Sequence, residues 1–224
     1  MQNDWHTCQA RPGKASSAPS GVSAALLLCG VLLGPGAVHV QAQLGEDLRP
    51  PSAFASISDP QARSRALFAE AARVIMHPRC MNCHPAGDTP LQGNEQRLHF
   101  PRVVRGDHDD GVPGNNCGAC HMDANFTIVG GEGSYQSIPG HPRWSLAPVE
   151  MAWEGKSIGE ICAQLKDPSR NGGRDLALLH EHLAKDDLIA WGWNPGPGRD
   201  PAPGTQARLG ELVQAWIESG AACP

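Results

Sequence analysis

Two pentapeptides hold the residues best suited to chemistry: Cys80-Met81-Asn82-Cys83-His84 and Cys117-Gly118-Ala119-Cys120-His121, each a Cys-x-x-Cys-His. That pattern is the attachment signature of a c-type haem. Two thiols three positions apart can each add across one vinyl group of a single porphyrin. The histidine that follows then reaches the iron as an axial ligand, one of the main levers on haem potential. Cys80, Cys83, Cys117 and Cys120 are therefore expected as covalent anchors, and His84 and His121 as proximal ligands, of two covalently bound haems c. Paired Cys-x-x-Cys elements also build zinc sites, and one alone can be a thioredoxin-like redox centre. Here the histidine recurs at the same offset in both copies, and neither copy opens a helix after a strand, so haem is the stronger reading.

A low-spin electron-transfer haem needs a second axial ligand, Met or His. Met81 lies inside an attachment loop and Met122 directly follows a proximal histidine, so neither can swing to the far face of its own haem. His77 stands too close before its motif to cross its own haem, and His108 sits among Asp107, Asp109 and Asp110. Met151, His99, His141, His180 and His182 remain as distal candidates, and His77 could still approach the other haem. Helical angles do not separate His180 from His182.

The elements that must position these groups are helices and loops. Residues 1–42 read as a signal peptide: Arg11 and Lys14 precede an apolar run from Val22 to Val40, and Val40-Gln41-Ala42 offers a cleavage site. Export to the periplasm is expected, with no span of the membrane after cleavage. Residues 43–58 form a polar, Pro-containing arm, and order is expected from Asp59, an N-cap with Pro60 at the first helical position. Leu67, Ala71, Val74 and Ile75 recur at helical spacing, and Pro78 ends that helix before the first motif. Residues 85–116 and the stretch from Gly130 through Pro139-Gly140 are loop, for which a haem can supply the missing apolar surface. Ser157 and Glu160 spell a capping box ahead of Ile158, Ile161, Cys162 and Leu165. A further helix is expected over Asp175 to Lys185, a Pro/Gly-rich linker over Asn194 to Thr205, and a last helix through Leu209, Leu212, Val213, Trp216 and Ile217, stopped by Gly220. No convincing period-2 strands occur. The expected fold is mostly α, with cytochrome c-like helices and long irregular loops around two covalent haems, in one domain spanning 59–224.

Six of the eight cysteines lie beyond residue 42, and four belong to the motifs. Cys162 and Cys223 are left as one even pair, for which a disulfide is the default in an oxidising compartment. Removing residues 1–42 takes away two basic residues and one acidic one, leaving a formal net charge of −6. Such a charge argues against nucleic acid or an anionic membrane surface as partner and suits a basic docking face. No separate nucleophile, acid–base constellation, flavin or nicotinamide fingerprint is visible, so an electron-transfer protein rather than an enzyme is expected. The runner-up is a dihaem enzyme of peroxidase type with one open iron.

A family resemblance adds to this. Arg79-Cys80-Met81-Asn82-Cys83-His84-Pro85-Ala86-Gly87-Asp88, Val104-Arg105-Gly106, Trp144-Ser145-Leu146-Ala147-Pro148, Met151-Ala152-Trp153-Glu154-Gly155-Lys156, His182-Leu183-Ala184 and Trp191-Gly192-Trp193-Asn194-Pro195-Gly196 together resemble bacterial isoquinoline 1-oxidoreductase subunits. The likeness covers nearly all of the chain beyond the leader. It implies a dihaem cytochrome beside a molybdenum hydroxylase, passing that enzyme's electrons to a respiratory acceptor. Among the matching positions are His99, Met151 and His182, which the resemblance raises above His141 and His180 as distal ligands. One position departs: the pattern has His immediately before Trp144, where this chain has Arg143, with His141 two residues earlier.

Overall fold

The computed structural model describes residues 47–130 and 136–224. The expected signal peptide, 1–42, and the start of the expected arm, 43–46, lie outside the described residues. Four helices make the core: α1 (Pro60–Ile75), α3 (Ile158–Leu165), α4 (Leu176–Lys185) and α6 (Gln206–Glu218). Two one-turn helices, α2 (Pro78–Met81) and α5 (Asp187–Ala190), lie between them. The helix starts follow from local chemistry. Asp59 accepts the backbone N–H groups of Gln61 and Ala62, Ser157 and Glu160 close the expected capping box, and Asp175 and Thr205 cap α4 and α6. Pro78, expected as a terminator, also begins α2, where its missing N–H costs nothing, with His77 as N-cap.

α6 packs against both α1 and α4. Leu67, Phe68, Ile161, Leu179, Leu212 and Trp216 lie in one buried cluster, each side chain adding about 1.5–3 kcal/mol by leaving water. Gly210 lets α4 and α6 approach, because a Cβ there would sit 2.7 Å from the Ala184 Cβ. Cys162, wholly buried, is bonded to Cys223, as the cysteine count led us to expect. The tail is fixed further by Ala222, whose N–H donates to the Ser64 hydroxyl and whose carbonyl accepts from the Trp216 indole.

Two details differ from the sequence reading. Order begins well before Asp59: Leu48 and Phe54 are buried against the core, and Arg49 pairs with Glu70 of α1. Two isolated apolar residues in a polar, Pro-containing segment carry no period, so pattern alone misses them. The loops also contain short ladders. Three antiparallel hairpins, each of two-residue strands, pair β1 (Leu91–Gln92) with β2 (Arg97–Leu98), β3 (Gly111–Val112) with β4 (Asn115–Asn116), and β5 (Phe126–Thr127) with β6 (Ser137–Ile138). Strands of two residues are too short to show alternation. The described residues are thus helical in their core, with few short strands in the loops. Among them no helix is long and apolar enough to cross a membrane.

Candidate functional site

Both Cys-x-x-Cys-His motifs lie on single helical turns. In the first, α2 continues through bonds from Cys83 N–H to the Cys80 carbonyl and from His84 N–H to the Met81 carbonyl. In the second, Asn116 caps a 3-10 turn over Cys117–Ala119, and the N–H groups of Cys120 and His121 both donate to the Cys117 carbonyl. A helical turn puts residues i and i+3 on one face, so each pair of thiols is presented to the same side. The segment after Trp144 clamps the first motif from outside: Ala147 N–H donates to the Cys83 carbonyl, Trp153 N–H to the His84 carbonyl.

The two histidines share one arrangement. His84 Nδ1 lies 2.6 Å from the Met151 carbonyl oxygen and His121 Nδ1 lies 2.8 Å from that of Pro139. A carbonyl can only accept, so both Nδ1 atoms carry the proton and both Nε2 atoms keep a free lone pair. Each ring is backed by an indole: Trp153 stacks on His84 at 3.4 Å and Trp144 on His121 at 4.7 Å, nearly parallel in both cases. Burial pushes the His84 imidazole down to about 4, helped by His182 and Arg105 and opposed by the Met151 carbonyl. Burial does the same at His121, down to about 4, with His99 and Arg199 adding and the Pro139 carbonyl opposing. Both rings are therefore neutral and able to ligate.

Each histidine opens onto its own cavity. The first, about 290 Å³, is lined by Cys80, Cys83, His84, Met151 and His182 together with Leu165, Leu179 and Leu183 of the core. The second, about 280 Å³, is lined by Cys117, Cys120, His121 and His99, with Leu91, Phe100 and Ile138 from the loops. Both are near the lower end of the range for small-molecule and cofactor sites, about 300 Å³. Cys83, Arg79, Trp144, Ser145, Leu146 and Trp191 line both cavities and form the wall they share. Trp191 meets Trp144 edge to face at 4.8 Å, and its indole donates to Asn125 Oδ1.

The distal candidates separate in this geometry. His99 faces His121 with ring centroids 5.9 Å apart and donates from Nδ1 to the Pro101 carbonyl at 2.8 Å. His182 shares the first cavity with His84 and donates from Nδ1 to Asp186 Oδ2 at 3.1 Å. Met151 is buried in that cavity too, but its backbone carbonyl already holds His84. His141, His180, His77 and His108 line neither cavity. His141 is turned the other way round: its Nδ1 accepts the Arg143 N–H and its Nε2 lies 3.4 Å from Asp187.

Burial raises the Cys80 thiol to about 12, with Cys83 adding and Arg79 opposing, and the Cys83 thiol to about 11, where Arg79 opposes and Cys117 adds. Thiols held protonated by burial do not suit a thioredoxin-like nucleophile. Among the described residues no group of three or more His, Cys, Asp or Glu converges as a metal cage. Reading the sequence missed the roles of Trp144 and Trp153 behind the histidines, Asp186 behind His182, and the buried Arg79 and Arg105. The tryptophans were visible as conspicuous residues in the runs that carry the resemblance, while nothing local marks the carbonyls of Met151, Pro139 and Pro101. Comparison with family models, with curated proteins and with solved structures finds no match to this chain.

Proposed function

We propose that the protein is an exported, periplasmic dihaem c-type cytochrome of cytochrome c-like fold, taking electrons from a molybdenum hydroxylase and passing them to a respiratory acceptor. One observation carries the haem reading. In each cavity two thiols and a motif histidine, its Nδ1 tied to a carbonyl and its Nε2 free, meet a second histidine held in the same tautomer. Cys80 and Cys83 would anchor one haem between His84 and His182, and Cys117 and Cys120 the other between His121 and His99. The 5.9 Å between the His99 and His121 centroids suits two imidazoles sharing one iron at metal–nitrogen distances of about 2 Å.

The surrounding charges fit the same group. Arg79 is 4% exposed with no partner on Nε, and Arg105 is 7% exposed with none on Nε or Nη2. Both line the second cavity, and Arg105 has a single carboxylate partner, Asp109. A buried, poorly paired guanidinium is costly, and the propionate carboxylates of a porphyrin would satisfy these donors.

Bound haem supplies a one-electron couple. The chain's own residues hold each imidazole neutral and oriented, exclude water with apolar walls, and bring the two cavities together at Trp144 and Trp191. A second histidine in each cavity favours a carrier over the peroxidase reading, which needs one open iron. The partner follows from the resemblance and is tested by stopped-flow reduction. The oxidised protein alone should ignore an N-heterocycle. With the genetically adjacent hydroxylase and its substrate it should be reduced, more slowly as ionic strength rises. Substrate-driven reduction without the hydroxylase would overturn the carrier reading, and no reduction with it would overturn the assignment of partner.

A further inference from the structure

Three of the four cavity histidines donate Nδ1–H to a neutral backbone carbonyl: His84 to Met151, His121 to Pro139 and His99 to Pro101. His182 alone donates to a carboxylate, Asp186. The contact is built in. Asp186 follows α4 directly, four residues beyond His182, and is the N-cap of α5, with Oδ1 accepting from Leu188 N–H and from Arg143 Nη2 at 2.7 Å. Its side chain is 18% exposed and it lines the first cavity. Arg143 divides its guanidinium between Asp186 and the exposed Asp187, so part of the Asp186 charge is left to face His182.

A carboxylate on the N–H of a ligating histidine fixes the ring and raises its basicity, favouring the more highly charged metal state, and does so more strongly than a carbonyl. We propose that Asp186 is a positioning residue that sets the potential of the Cys80–Cys83 haem, holding it below the value that a carbonyl-partnered His182 would give. This rests on His182 being the distal ligand of that haem. The two haems are thus made unequal by one side chain, although their motifs are alike.

The test is a potentiometric titration of the matured full-length protein, followed in the haem bands, for wild type, Asp186→Asn and Asp187→Asn. Both changes remove one negative charge, but only the first replaces the carboxylate that accepts from His182 by a neutral amide carbonyl. Asp186→Asn should move one midpoint upward, leave the other in place, and alter the low-spin ferric resonance of the same haem. Asp187→Asn should move it less. Should Asp186→Asn fail to mature, Asp186→Ser keeps a capping oxygen and is expected to give the same upward shift. Equal shifts from the Asp186 and Asp187 variants, or no shift in a variant that keeps both low-spin haems, overturn the proposal. His182→Ala separates this from the underlying ligand assignment: if that variant keeps both six-coordinate spectra unchanged, His182 is not a ligand and the assignment itself fails.

Discussion

Replacing Cys162 and Cys223 together by alanine should lower stability by an amount that follows from the chain alone. The bridge joins residues 61 apart in sequence, and closing a loop of that length removes unfolded-state entropy equivalent to about 4 kcal/mol. The tail also has native contacts besides the bridge. Ser64 and Trp216 still hold Ala222, and Lys166 still donates to the Ala221 carbonyl. At about 2–4 °C per kcal/mol for a domain of this size, Tm should fall by about 8–16 °C. The assay is thermal unfolding of matured protein by far-ultraviolet circular dichroism, with the haem bands recorded in parallel. Neither cysteine lines either cavity, so the spectra at 25 °C should match wild type. A fall in Tm of less than about 2 °C would refute the entropic reasoning, and altered haem bands at 25 °C would refute the separation of the bridge from both cavities.

Met151→Leu should leave both haem spectra unchanged, because in the proposed assignment His182 and not Met151 is the second ligand in that cavity; loss of a thioether band in the near infrared would restore Met151 as a ligand. His99→Ala and His182→Ala should each convert one haem, and not the same one, to a high-spin form detectable by absorption. Gly210→Val should force α4 and α6 apart at a cost of about 1–3 kcal/mol, measurable as denaturant midpoint, and should disturb the haem served by His182 on α4. Glu70→Gln removes a carboxylate that is 3% exposed and held by Arg49 and Arg73. A loss of about 1–3 kcal/mol is expected, below that for a wholly buried pair because both arginines are partly in solvent. At Glu70 burial raises the pKa, but the bonds from Arg49 and Arg73 outweigh it and the net shift is downward. Its contribution is therefore present above the ordinary carboxylate range and lost as pH falls through the folded pKa, a dependence that Glu70→Gln should remove.

The chemistry-bearing residues were legible because spacing alone encodes them: Cys80, Cys83, His84 and Cys117, Cys120, His121 are local. So were α1, α3, α4 and α6, where a cap and an apolar stripe agree, and the Cys162–Cys223 bridge, fixed by parity. The partnering of His99 with His121 was not legible, because it depends on where the loop carrying the β1–β2 hairpin returns, and two-residue strands leave no period. The Nδ1 acceptors were hidden for another reason: every residue has a carbonyl, and only the fold selects those of Met151, Pro139 and Pro101. α5 carries too few residues to show a stripe, so the Asp186 cap passed unnoticed, and with it the carboxylate behind His182.

The most direct measurement is the covalent haem content and spin state of the chain produced in a host that matures haem c. Two haems per chain should survive denaturing electrophoresis, both six-coordinate and low-spin in the native protein. Changing Cys80 and Cys83 to alanine should remove one, and changing Cys117 and Cys120 the other. A colourless native protein carrying zinc, or one in which either cysteine pair can be removed without loss of haem, would contradict the proposed two-haem centre.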